Sequence, residues 1–547
     1  MTILLGAAAV AQTPAPTGRA RESVERAAVQ LDVSARAPGQ PLVHFWSKVV
    51  GAGRANEGLR ATWRDELHTA VEYDGFRYLR FHGLFHDDMY VYREAPDGTP
   101  VYNFQYVDDL FDYLLKEHVR PFVELGFPPT GIASVPNTVF AWKANGSPPT
   151  DNKKWAALVD QSLRHWIARY GIDEVRQWYF EVWNEPNLYQ PFFRGGSQAI
   201  YFELYKVTAQ TIKHVDPQLR VGGPATSNFH IDQAELARMR EGGVKVAPAD
   251  LPWRPVWVAD FLKYCAENNL PVDFISTHPY PQDFALDEPG MPQSHQRRLV
   301  ESTQNDLSYL RKLISASAYP RAGIELTEWS SSPSKTDHSH DSLAAATFIV
   351  KTNLESRGLV DSLSYWVFTD VFEEGGSPGS IFYGGFGLIN GQEIVKPAFH
   401  AYRFLNGLGD ETLSASEGAM VTRDSKTGHV AALFYNYPIA AALPVTGSQA
   451  AADAIVNTGG PRHISLRLTH LPPQAHFLLE TLDKEHANAT RSWELMGCPE
   501  PPTREQTLTL KKLAWDTGKA HLTAAKDGTL TIERDLEPWA VLFLKQE

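Results

Sequence analysis

The sequence predicts an α/β protein, a (β/α)8 TIM barrel with a C-terminal β-sandwich accessory domain. Three observations carry that expectation. From about residue 42 to 408, short apolar, β-branched and aromatic runs alternate with longer amphipathic stretches, the pattern of repeated βαβ units on a parallel sheet. Eight such runs can be counted, the number that closes a barrel. Beyond about residue 410 the amphipathic stretches stop, and short strand-like runs follow one another between Pro, Gly, Asn and Asp turns, as in a sandwich.

Taken in order, residues 1–26 read as a leader and linker. Ile3–Ala11 is a short apolar run ending Ala9-Val10-Ala11, which resembles a secretory signal with a small-residue cleavage site, although no basic residues precede it. Thr13–Thr17 alternates with proline and reads as a mobile linker. Export to the periplasm or medium is the expectation, a cytoplasmic protein with a disordered leader the alternative. Ala27–Ala35 alternates well enough to add a strand to the sandwich, which makes 27–41 plus 409–547 the accessory domain and 42–408 the catalytic barrel. The barrel strands are expected at Leu42–Trp46, Tyr78–His82, Pro121–Phe127, Tyr179–Trp183, Arg220–Pro224, Asp273–His278, Ile324–Trp329 and Leu363–Thr369. Helices are clearest at Lys154–Tyr170, Ile200–Val215, Trp257–Asn268 and Ser302–Ser315. In the tail, strands are expected at Val430–Tyr437, Ile464–Leu468, Phe477–Leu482, Thr507–Leu510, Ala520–Ala524, Thr529–Ile532 and Ala540–Leu544, with no helix of ten residues among them.

The bulk composition narrows the function. With 547 residues the chain is long enough for more than one domain, and 43% hydrophobic with 21% charged residues fits a globular protein with a large core. A net charge of −13 argues against nucleic acid or an anionic membrane as partner. Cys265 and Cys498 fall in different segments and imply neither a disulfide framework nor a metal knuckle.

The chemistry is carried by the strand ends. Glu181-Val182-Trp183-Asn184-Glu185-Pro186-Asn187 ends an apolar strand with an amide, a carboxylate and a strand-stopping proline. That places Asn184 and Glu185 at a carboxyl end, where barrel enzymes keep their chemistry. Ile324–Ser330 repeats the plan with Glu328. Either glutamate alone could be an ordinary capping acid. Two carboxylates from two strand ends suit glycoside hydrolysis, which needs a proton donor and a nucleophile or base around one bond. His82 and His278 close two other strands and could equally be satisfied turn residues. Trp366 reads as a barrel filler or a sugar contact, and Glu373-Glu374 as an acidic turn or a hydroxyl binder. The pairs His82/His86 and His338/His340 lack the helical or cysteine context of a metal site. No metal and no organic cofactor is expected.

These motifs together resemble glycoside hydrolase family 39 of clan A, and within it the bacterial β-xylosidase type. The resemblance rests on Tyr78–Gly83, Phe122–Phe127, Trp183–Leu188, Val221–Pro224, Ser276–Tyr280, Leu326–Ser330, Tyr365–Glu374, Phe382–Leu388 and Lys396–Ala398. It implies that Glu185 is the acid/base and Glu328 the nucleophile of a retaining enzyme. It further implies that Asn184 holds the sugar 2-hydroxyl, and that His82, His278, Tyr280, Trp366 and Glu374 contact the terminal sugar. Phe81 stands where the family often has Gly, His86 replaces an apolar or Cys position, and Ser330–Pro333 lacks an aromatic after the nucleophile. The function so implied is release of xylose from the non-reducing ends of xylo-oligosaccharides by double displacement. An α-L-iduronidase-like enzyme and a non-catalytic carbohydrate-binding protein are the alternatives. The turns after strands six and eight, Pro279–Asp283 and Asp370–Glu374, offer acids and no cation, which favours a neutral sugar over a uronate. Arg80, Lys143 and Arg194 are cations near other strand ends.

Overall fold

The computed structural model describes residues 24–243, 245–247, 250–281, 285–286, 292–294 and 298–547. The apolar run and proline linker of the expected leader lie outside these residues. So do Gln282 and Asp283.

A closed barrel of eight parallel strands forms the first body. In chain order the strands are Val49–Arg54, Tyr78–His82, Arg120–Leu125, Tyr179–Val182, Arg220–Ser227, Phe274–His278, Gly323–Trp329 and Ser362–Tyr365. Each is followed by a helix, at Ala61–Asp74, Gln105–Lys116, Asn152–Tyr170, Gln198–Val215, Val258–Glu267, Ser302–Ser315, Leu343–Glu355 and Pro397–Asn406. The helices start where the sequence supplies caps: Asp151 accepts from Lys153 N, Ser197 from Ile200 N, and Pro397 fills a first-turn position. Gln105–Lys116 buries Val107, Leu110, Phe111 and Leu114, one face at helical spacing.

The first strand differs from expectation. Phe45–Ser47 is a single 3-10 turn, and the strand is Val49–Arg54. Its glycines conceal it from propensity reasoning, yet packing requires them. A Cβ on Gly51 would stand 2.5 Å from the Trp366 ring, and one on Gly53 2.4 Å from the Glu57 carboxylate. The eighth strand ends at Tyr365, earlier than the expected Thr369.

The second body is a β-sandwich. A seven-stranded sheet holds Gln40–Pro41, Glu411–Ser416, Ala419–Arg423, Val430–Tyr435, Val541–Gln546, His476–Leu482 and Gly518–Thr523. A three-stranded sheet holds Val29–Ser34, Arg462–Thr469 and Leu530–Leu536. Val29–Ser34 pairs in parallel with Ile464–Thr469, so a segment ahead of the barrel completes a sheet made after it. Val29, Val33, Val421, Phe434, Ile464, Leu466, Phe477 and Leu542 share one buried core between the sheets. Thr507–Leu510, expected as a strand, lies inside the helix Arg504–Ala514, which starts with a reciprocal cap between Thr503 and Gln506 and buries Leu510 and Ala514. The Thr-x-x-Gln signature was there to be read. Among the described residues no helix is long and apolar enough to cross a membrane. Cys265 is buried, Cys498 is exposed, and both are free.

Candidate active site

The end of strand four is wound tightly. Trp183 (φ 73°) and Glu185 (φ 46°) both take left-handed backbone, which side-chain-bearing residues adopt at a cost of about 1–3 kcal/mol each. Hydrogen bonds to the neighbouring strands hold the turn: Trp183 N donates to Leu125 O at 2.9 Å and Glu185 N to Ala225 O at 2.8 Å. Asn187 clasps strand five, accepting from Ser227 N at 2.8 Å and donating to Ser227 O at 3.0 Å. The result is to turn Asn184 and Glu185 into the barrel mouth.

Arg80, from the middle of strand two, is the hub beneath them. It is fully buried, and its donors reach Glu181 Oε2 (2.6 Å), Glu328 Oε1 (2.8 Å), Asn184 Oδ1 (2.8 Å) and Glu124 Oε2 (3.0 Å). One guanidinium thus positions residues from strands three, four and seven, using the planar fork that arginine provides. Tyr280 donates to Glu328 Oε2 at 3.2 Å. Each oxygen of Glu328 therefore has one donor, which fixes the aim of the carboxylate.

His278 lies between the two glutamates. Its Nδ1 is 3.0 Å from Glu185 Oε1 and 3.7 Å from Glu328 Oε2, and its Nε2 is 3.0 Å from Thr327 Oγ1. One polar atom each from Glu185, His278 and Glu328 all lie within 4.8 Å of one another. That closeness could suit a cation, but both ring nitrogens of His278 are already hydrogen-bonded, which matches proton chemistry. His82 bonds Glu124 through Nδ1 at 2.5 Å, and its Nε2 faces Glu328 (3.7 Å) and Glu374 (3.6 Å).

Burial sets the proton affinities. It pushes Glu185 up to about 7, against the lowering effect of the Ser227 hydroxyl and the Arg80 charge. It pushes His278 down to about 4 and His82 down to about 3, against the attraction of Glu328. Glu374 rises well above the usual carboxylate range through burial and the nearby Glu328, Glu57 and Glu185. The imidazoles are therefore neutral near pH 7, and Glu185 and Glu374 hold protons that an exposed glutamate would have lost.

All eight residues singled out in the sequence gather at this one rim. Trp366 packs against Arg80 (5.8 Å) and His82 (4.8 Å), forming a wall while also filling the barrel end. Phe140 stacks on His82 at 5.7 Å and on Trp142 at 5.4 Å, extending the wall along the loop after strand three. His86 Nδ1 faces Asp88 at 2.8 Å, and His340 bonds Gly384 O through Nδ1 at 3.1 Å. Lys143 and Arg194 are exposed, with Arg194 turned toward Asn137. Sequence reasoning missed Glu124, Thr327, Phe140 and Trp142, and it treated Arg80 only as a stray cation. A charged residue in the middle of a buried strand was the available signal, since an unpaired one would be costly there.

A parallel barrel with two glutamates facing each other across its carboxyl-end mouth defines a glycoside hydrolase. Comparison with known proteins agrees. The profile of glycosyl hydrolases family 39 matches residues 29–531. A β-xylosidase of Geobacillus stearothermophilus is 37% identical over 471 residues, 85% of each chain. The crystal structure of a monomeric β-xylosidase from Caulobacter crescentus CB15 superposes with a TM-score of 0.81 at 34% identity, over 95% of this chain and 99% of the other. Mouse α-L-iduronidase is a more distant relative, 23% identical over 94% of this chain and 80% of its own. The chain belongs to glycosyl hydrolase family 39 and is a glycoside hydrolase acting on carbohydrate.

Proposed function

We propose that the protein is a retaining β-xylosidase that releases xylose from the non-reducing ends of xylo-oligosaccharides, with Glu328 as nucleophile and Glu185 as acid/base. The observation that carries this reading is the approach of the two carboxyl groups, whose nearest oxygens lie within 4.8 Å. Retention needs a separation of about 5–5.5 Å between carboxyl groups, whereas inversion needs roughly 6.5–9.5 Å to admit a water.

Glu328 attacks the anomeric carbon while Glu185, kept protonated by burial, gives its proton to the leaving oxygen. Esterification then removes the Glu328 charge, and Glu185 ionises and activates water. Asn184, with its oxygen taken by Arg80, has its amide protons left for the sugar 2-hydroxyl. Glu374 and His82 suit the other hydroxyls, and Tyr280 and Trp366 the ring.

The site favours a neutral sugar. Arg80 is a poor partner for a substrate carboxylate, because it is fully buried and four of its five N–H groups already face Glu181, Glu328, Asn184 and Glu124. Lys335, from the loop after strand seven, lies across Gly375, with its Nζ 3.2 Å from where a Cβ would stand, and its charge acts on Glu374. A neutral carboxyl at Glu374 both donates to and accepts from hydroxyls, as a pentose requires. The test is a panel of aryl glycosides. We expect kcat/KM for the β-xyloside to exceed that for the α-L-iduronide by at least ~10³-fold, using roughly 4 kcal/mol for a carboxylate stranded among acids. Comparable rates would overturn the assignment. Product NMR should show β-xylose first; early α-xylose would mean inversion.

A further inference from the structure

A single file of hydrogen bonds runs through strands two, four, seven and six and returns to Glu185. Arg80 Nε donates to Glu181 Oε2 at 2.6 Å, an ion pair that leaves Glu181 accepting on both oxygens. Thr327 has one hydroxyl proton, and it goes to Glu181 Oε1 at 2.7 Å. Toward His278 Nε2, 3.0 Å away, the threonine oxygen can therefore only accept. A neutral imidazole carries one proton. With that proton on Nε2, Nδ1 is a bare lone pair, and it lies 3.0 Å from Glu185 Oε1. The proton in that contact must belong to the glutamate.

We infer that Thr327 and Glu181 are positioning residues that fix the tautomer of His278, so that its Nδ1 holds the proton of the general acid in place. The inference rests on the reading of Glu185 as that acid. The groups facing His278 are Glu185 from strand four and Glu328 and Thr327 from strand seven, with Arg80, Glu181 and His82 acting at longer range. Burial keeps the imidazole neutral against them.

The same geometry serves the second half of the reaction. Once the leaving oxygen has taken the proton, the Glu185 anion faces a lone pair at 3.0 Å. That repulsion raises its appetite for a proton. Water then gives a proton to Glu185, its oxygen bonds to the anomeric carbon, and the ester bond to Glu328 breaks, which restores both glutamates and the original hydrogen-bond file.

Neutron diffraction from deuterium-exchanged crystals of the full chain, grown about one pH unit below the Glu185 value of about 7, reads the protons directly. Deuterium is expected on His278 Nε2 and on Glu185, with none on His278 Nδ1; deuterium on Nδ1 overturns the inference. Substitution gives a second reading. Thr327→Val removes the acceptor and frees the ring proton to move to Nδ1, where it favours ionised Glu185. The alkaline limb of kcat/KM on xylobiose should then move down by about one pH unit, with activity falling about tenfold, while an activated aryl xyloside suffers less. Thr327→Ser should restore both. A Val variant with the native pH profile also overturns the inference. Glu185→Gln separates the two levels: if it still cleaves xylobiose, the acid assignment itself is wrong, whereas if it does not and deuterium lies on Nδ1, only the tautomer argument fails.

Discussion

At the scale of single residues, the two glutamates make opposite demands on a test. Glu185→Gln should cut xylobiose hydrolysis by about 10²–10⁴-fold, the usual worth of general acid assistance. It should spare formation of the glycosyl-enzyme from aryl xylosides with good leaving groups, and added azide should speed turnover. The alkaline limb of wild-type kcat/KM should fall near the Glu185 value of about 7 and be absent from this variant. Glu328→Ala should lose all substrates, activated or not, because no ester can form. A fluorinated xyloside should label Glu328 in the native protein, as read by peptide mass analysis. Label on Glu325 would refute this. That side chain is buried near the strand starts, bonded to Lys48 Nζ at 2.5 Å and to Ser362.

At the scale of elements, the strand-eight sequel holds Glu374 in place through a buried ion triad. Lys396 Nζ lies 2.6 Å from Asp341 and 2.5 Å from Asp370, and all three are buried. Asp341 also accepts from Gly384 N, and Asp370 from Gly387 N, both at 2.7 Å. Lys396→Met leaves two uncompensated buried carboxylates and should cost about 3–5 kcal/mol, seen as a lower urea midpoint. KM should rise as well, because Glu374 sits on the loop the triad anchors. Much of this layer is legible in the sequence. Seven of the eight barrel strands overlap the apolar runs that predict them, and three of those runs end in Asn-Glu, Thr-His or Thr-Glu-Trp, since a strand buried on both faces must be apolar and its reactive ends polar. The first strand was not legible, because Gly51 and Gly53 answer to the size of Trp366 and Phe372, residues remote in sequence. The Arg80 hub stayed hidden for the same reason: its partners come from three other strands, and no local pattern records their convergence.

At the scale of the whole molecule, buried titrating groups shape stability against pH. Glu57 and Glu124 are pushed up to about 8 and Glu185 to about 7 by burial. Between about 4.5 and those values the fold binds protons that the unfolded chain has lost, so these groups lower stability as pH rises. His82 and His400 at about 3 and His278 at about 4 act in the opposite sense, raising stability from those values up to about 6.5. The two sets oppose each other between about 4.5 and 6.5; above that window the histidines of the second set no longer act, and the raised Asp74, His68 and His463 act in the same sense as the glutamates. Thermal unfolding should therefore give a lower Tm at pH 8 than at pH 6; a Tm that climbs over this interval would contradict the assignment.

The parallel pairing of Val29–Ser34 with the strand around Ile464 has a consequence for how the molecule is made. The Asp32–Arg467 ion pair joins residues 435 positions apart, and the barrel is threaded between them. At about 5–20 residues per second, a ribosome takes roughly 20–90 s to cover that distance. For that interval the early strand, with Val29 and Val33 destined for a core, waits without a partner while the barrel is completed. The sandwich closes only after the barrel has been made, and its unpaired edge is the surface that a nascent-chain chaperone would have to guard.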